Sequence, residues 1–92
     1  MNDDIELLES THEFPCEFTI KAIGSPVEHF VGRVLLAIQA ELGEDIEPPF
    51  STRQSSSGRH ISVTVTPMVQ DAQQVLAIYA QLREVEGLMM LL

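Results

Sequence analysis

The stretch Ser55–His60, "SSSGRH", sets three hydroxyls, a glycine, a guanidinium and an imidazole side by side. Hydroxyls and backbone N–H groups around a glycine can cradle an oxyanion, and Arg59 and His60 add positive charge beside them. The same residues also make an ordinary tight turn, in which Gly58 permits the sharp bend and the serines bond turn backbone groups. The adjoining segment "ISVTVTP" alternates apolar and polar side chains as a strand does. The stretch therefore reads as a turn feeding a strand, with Ser56, Gly58, Arg59 and His60 at the rim of a ligand site. Lys21, the one lysine in the chain, belongs on the polar face of a central strand near Ser62 or Thr64. There it can anchor a carboxylate, either from the acidic N-terminal segment or from a ligand. Gly24 and Ser25 complete the candidate set at a strand-to-helix turn, where backbone donors suit a carboxylate. That turn needs a glycine and a cap for local reasons too, and the structural reading is preferred.

Other chemistries lack their parts. His12 and Cys16 stand four apart but have no further ligands nearby. They read as solvent-exposed side chains ahead of the first strand, not as a metal site. A lone cysteine forms no internal disulfide, fits a reducing compartment, and excludes the paired thiols of a metal carrier. The histidines and serines show no spacing diagnostic of a nucleophilic triad. His29, four residues before Arg33, reads as solvated, and Tyr79 as a core side chain. The segment "GSPVEHFVGR" resembles the phosphate loop of acylphosphatases in its glycine, valine, phenylalanine and arginine. That family needs an asparagine to position water; the single asparagine here is Asn2, and Arg33 is expected two turns into a helix. No catalytic residue, metal ligand or cofactor is assigned.

The elements that would position these residues can be derived from composition and periodicity. Ninety-two residues, 45% of them hydrophobic, suffice for one small core. The net charge is −9, from 14 acidic against 5 Lys and Arg residues. Such a chain repels phosphate backbones, so nucleic acid is not an expected partner. No apolar run is long enough for a membrane span, and the N-terminus is acidic where an export signal would be basic. A cytoplasmic location is expected. Asp3, Asp4, Glu6, Glu9 and Glu13 mark residues 1–13 as an acidic arm, with Ile5 and Leu8 forming a short apolar edge of a helical turn. Residues 14–92 are expected to form the domain.

"EFTIKAIG" alternates, with Phe18, Ile20 and Ala22 on one face and Thr19, Lys21 and Ile23 on the other. Ser25-Pro26 reads as a helix cap with proline at the first helical position. Val27, Phe30, Val31, Val34, Leu35, Ile38 and Leu42 then form one apolar stripe, closed by Gly43. "DIEPPFSTRQ" reads as an edge strand, because Pro48 and Pro49 remove ladder donors. Ile61, Val63 and Val65 face inward from an interior strand. Thr66-Pro67 repeats the cap signal before a second helix that buries Val69, Ala72, Val75, Leu76, Tyr79 and Leu82. "GLMMLL" is the last strand. The order βαββαβ predicts an α+β ferredoxin-like sandwich: a four-stranded antiparallel sheet with both helices on one face, first and third strands central. Its open face would carry Thr19, Lys21, Ser62, Thr64 and Thr66. None is aromatic, which argues against base stacking by RNA. Leu88, Met90 and Leu92 would alternate with Met89 and Leu91, making the last strand apolar on both faces. An edge strand of that kind needs a cover, either the N-terminal arm or a second copy.

Two segments, "FPCEFTIKAIG" (Phe14–Gly24) and "SSSGRHISVTVT" (Ser55–Thr66), resemble the signature stretches of the YbeD-like family of small bacterial proteins without established activity. "ELLE", "IYAQL" and the final "MLL" extend the resemblance over nearly the whole chain, and His60 departs from it where a tyrosine is expected. The resemblance implies a fold similar to ACT regulatory domains, which bind small metabolites and pair side by side; the family also carries the label lipoate regulatory protein. The expected function is a non-enzymatic regulatory or adaptor domain, a homodimer through Leu88–Leu92 that takes a small metabolite or protein partner. The alternatives are an acyl- or phosphate-hydrolysing enzyme using Arg59, His60 and Lys21, and a purely structural protein-binding module.

Overall fold

A computed structural model describes residues 3–92; Asn2 lies outside the described residues. The elements run α1 (Asp3–Thr11), β1 (Cys16–Glu17), β2 (Ile20–Gly24), α2 (Phe30–Leu42), β3 (Phe50–Gln54), β4 (Ile61–Val65), β5 (Met68–Val69), α3 (Ala72–Leu82) and β6 (Leu88–Leu91). The main sheet is four-stranded and antiparallel in the order β3-β4-β2-β6, so β2 and β4 are central as the sequence predicts. The alternation that begins at Cys16 persists through β2. Ile20 and Ala22 from β2, with Val63 and Val65 from β4, enter one core with Phe30, Val34 and Ile38 of α2 and Val75, Ile78 and Leu82 of α3. Both helices therefore cover the same face of the sheet, in an α+β ferredoxin-like sandwich. No helix among the described residues is long and apolar enough to cross a membrane.

Both proline-based helix starts are displaced. α2 begins at Phe30, not at Pro26, because the Ser25 N–H donates to the Gly87 carbonyl at 3.0 Å and its hydroxyl leans on the same oxygen at 3.5 Å. A serine committed across the sheet cannot cap a helix, and the chain turns instead through His29 in the left-handed region, φ 66°. Val27 consequently leaves the predicted stripe and is exposed. Arg33, expected two turns into the helix, lies in its first turn and meets Glu86 at 3.6 Å. Thr66-Pro67 is likewise no cap: Met68 and Val69 make a short ribbon with Glu17 and Cys16. The true cap of α3 is Asp71, whose carboxylate accepts the Gln74 N–H at 2.8 Å, while the Gln74 side-chain oxygen accepts from the Gln70 N–H at 2.8 Å. Asp71 is thus a side-chain N-cap, and Gln74 reaches back one residue further, to the N–H ahead of the cap. Ile78, absent from the predicted stripe, is fully buried.

The acidic segment forms more than a turn. α1 lies against α3, with Leu8 packed onto the core and Leu7 exposed. His12 is half-buried rather than solvated, its ring 5.0 Å from that of Phe18 and 6.0 Å from that of Phe14. Aromatic packing is thus its role at this position.

Candidate functional site

The predicted site residues separate into three groups. Gly24 and Ser25 belong to a tight junction between β2, the start of β6 and α2. A Cβ on Gly24 would come within 2.5 Å of the Phe30 ring and 2.6 Å of the Gly87 carbonyl oxygen, so close packing alone requires glycine there. Ser25 is occupied with Gly87.

Ser56, Gly58 and Arg59 belong to the β3–β4 hairpin. Ser55 and Ser57 are used within the turn, and Ser56 is exposed. The Ser55 hydroxyl accepts the His60 N–H at 3.1 Å, and the Ser57 hydroxyl accepts the Arg59 N–H at 3.3 Å. Ser55 N–H donates to the His60 carbonyl at 2.9 Å, and Gly58, at φ 75°, donates to Ser55 O at 2.9 Å. The loop is a self-satisfied turn with an exposed guanidinium at its tip, not a cradle.

The third group meets on the open face of the sheet. Register sets Lys21 opposite Thr64, and Thr64 opposite Ser51; in the adjacent row Ile23 faces Ser62, and Ser62 faces Arg53. On the other flank Met90 pairs with Ile23, and Leu92 exchanges both backbone hydrogen bonds with Lys21, at 2.9 and 3.2 Å. Lys21, Ile23, Arg53 and Ser62, with the hairpin base at Gln54, Ser55, His60 and Ile61, line a shallow concavity of about 190 Å³. No acidic residue lines it. Among the described residues neither Lys21 nor Arg53 makes an ion pair, so Lys21 does not hold a carboxylate of the acidic segment. Arg53, absent from the predicted site, is the addition. Its edge strand reads as polar and proline-marked, and only the register reveals that it shares a face with Lys21.

The last strand departs from its predicted alternation. Gly24 pairs with Leu88 but Ile23 pairs with Met90, so Met89 is an extra residue in the ladder. Leu88 and Leu91 therefore both pack on the core, while Met89, Met90 and Leu92 stay 60%, 53% and 61% exposed. α1 has gone to α3 and leaves them uncovered. Tyr79 on α3 donates its hydroxyl to Leu92 O at 3.3 Å and packs edge-on against Phe18. Burial pushes its pKa above 10.0, with Arg83 acting weakly in the opposite direction. Among the described residues no group of three or more His, Cys, Asp or Glu side chains could hold a metal ion.

The architecture has solved counterparts. Protein HP0495 from H. pylori superposes with TM-score 0.63 at 15% identity, over 88% of this chain and 85% of that one. The ACT domain of the GTP pyrophosphokinase of Chlorobium tepidum superposes with TM-score 0.57 at 11% identity, over 84% and 97% respectively. The fold is thus ACT-like within the ferredoxin-like class. A family model described as "Protein of unknown function (DUF493)" matches residues 9–92. UPF0250 proteins of Shewanella woodyi and Shewanella piezotolerans are each 36% identical over 75 residues, spanning 82% of this chain and 83% of theirs. The chain belongs to this family of small bacterial proteins, the YbeD-like group that its two signature stretches resemble.

Proposed function

We propose that the protein is a non-enzymatic regulatory domain of the cytoplasm that pairs with a second copy through β6 and binds a small metabolite. The observation that carries the reading is the uncovered edge at Met89, Met90 and Leu92. Among the described residues β6 has one ladder partner, β2, and its outer backbone groups face away from the sheet. A row of unpaired donors and acceptors beside exposed methionines is a template for another strand. The segment Gly87–Leu92 carries no charged side chain. Two copies can therefore meet there in a two-fold antiparallel pairing without opposing their acidic surfaces directly. Because β2 lies next to β6, a ligand on the open face would bias the geometry of the pairing, a population shift in place of catalysis.

Sedimentation equilibrium over a range of concentrations tests this, together with an NMR screen of metabolites. Dimerisation weakened by Met90→Glu, with shifts from at least one metabolite, is the expected result. A strict monomer at high concentration that responds to no metabolite would overturn the reading. Turnover of acyl phosphates or thioesters, lost in Lys21→Ala, would replace it with the hydrolase. Stable capture of one protein by a monomer would favour a structural module.

A further inference from the structure

We propose that the open face of the sheet is an oxyanion site, at which Lys21 and Arg53 together grip the carboxylate or phosphate of a small molecule over β4. The assignment deepens the regulatory reading and rests on it only for the purpose of the ligand.

Charge is the first argument. The chain carries 14 acidic residues against 5 Lys and Arg, yet none of the acids lines this concavity and two of the five cations do. Arg33 is engaged with Glu86, whereas Lys21 and Arg53 have no ion-pair partner among the described residues. A lysine midway along a central strand is a poor choice for the strand itself, where β-branched residues fit best. Local rules broken without an internal compensation mark positions held for another reason.

Convergence is the second argument. Lys21 and Arg53 flank β4 from opposite sides, displaced by one row. Two strand spacings and two residues of rise place their Cα atoms about 12 Å apart. Both side chains are long enough to meet above the strand between them. Below that meeting point lie Thr64, opposite Lys21, and Ser62, opposite Arg53. The Ser62 hydroxyl donates to Arg53 O at 3.3 Å, which fixes the base of the arginine; the Thr64 and Ser51 hydroxyls have no protein partner among the described residues. An ammonium and a guanidinium within reach of one point, above free hydroxyls, supply the donor types an oxyanion takes. Ile23, Met90 and Leu92 continue the face on one side only, so apolar contact is offered to one flank of the ligand. The net charge of −9 disfavours extended polyanions such as anionic membranes and nucleic acids, whereas a concavity of about 190 Å³ has room for one small head group.

The test is an amide NMR titration of the full chain with sodium phosphate, succinate and hexanoate in separate series, each matched by sodium chloride of equal ionic strength. Saturable shifts at Lys21, Ser51, Arg53, Ser62 and Thr64 are expected. Lys21→Gln and Arg53→Gln should each weaken binding about tenfold, the loss of one charge-assisted contact, and the double variant should abolish it. Arg33→Gln should leave it unchanged. Preference between phosphate and the carboxylates identifies the head group; tighter binding of hexanoate than succinate brings in the apolar flank. Both side chains are exposed, so the variants should keep wild-type spectra apart from neighbouring peaks. Shifts reproduced by sodium chloride, or surviving in the double variant, would overturn the site. If oxyanions leave this face untouched while another metabolite binds and the dimer forms, this site fails and the regulatory reading stands.

Discussion

The two faces of the sheet are built from the same four strands and have opposite characters. Toward the helices, Ile20, Ala22, Val63 and Val65 are essentially without solvent contact and touch side chains that leave no room for change. Toward solvent, Lys21, Ser51, Arg53 and Thr64 rest on the same backbone and are held by nothing but register. Stability is concentrated on the first face, and the chemistry of the second is free to serve a ligand. A residue's neighbour across the pleat therefore says little about its purpose; the face it occupies says most.

The sharpest break of this contrast comes from the closed side. Ile38→Ala removes a fully buried side chain and should cost about 2–5 kcal/mol, read from the denaturation midpoint at unchanged slope. Gly24→Ala drives a methyl into the Phe30 ring and the Gly87 carbonyl and should cost about 1–3 kcal/mol by the same measurement. A neutral Gly24→Ala would show that the junction can give way. Gly32, on the outer surface of α2, has open space where a Cβ would stand, so Gly32→Ala should raise stability by about 0.5–1 kcal/mol. On the open face, Lys21→Gln and Arg53→Gln should each stay within about 0.5 kcal/mol of the parent while weakening oxyanion binding about tenfold. A large loss of stability from either would erase the distinction between the faces.

Tyr79 lies at the margin and gives the smallest effect. Its folded-state pKa is raised above 10.0, chiefly by burial. Its contribution is then complete below that unfolded value and is lost as pH climbs through the folded one. Tyr79→Phe should flatten the alkaline decline in melting temperature and leave neutral pH nearly unaffected.

Legibility in the sequence obeys the same division. Alternation in "IKAIG" and "ISVTV" revealed the central strands and their buried faces, because burial on one side of a pleat leaves a period-two mark. The prolines before Phe50 marked an edge, and "SSSG" a turn, through local chemistry alone. Ser25-Pro26 and Thr66-Pro67 misled as helix starts. Their local signals were sound, but Ser25 is bound to Gly87, 62 residues away, and Thr66 donates to Pro49 O at 3.0 Å. Arg53 was missed as a site residue for the same kind of reason, since nothing near it in sequence mentions Lys21. The true cap, Asp71 with Gln74, was legible and was overshadowed by the proline ahead of it.

The extra residue at Met89 governs how far the sheet can grow. An incoming strand meets an interrupted edge at Met89, and only the stretch from Met90 onward keeps even spacing against β2. An edge broken in this way is a poorer open-ended template than a flat one, which is how a bulge blunts an oily strand.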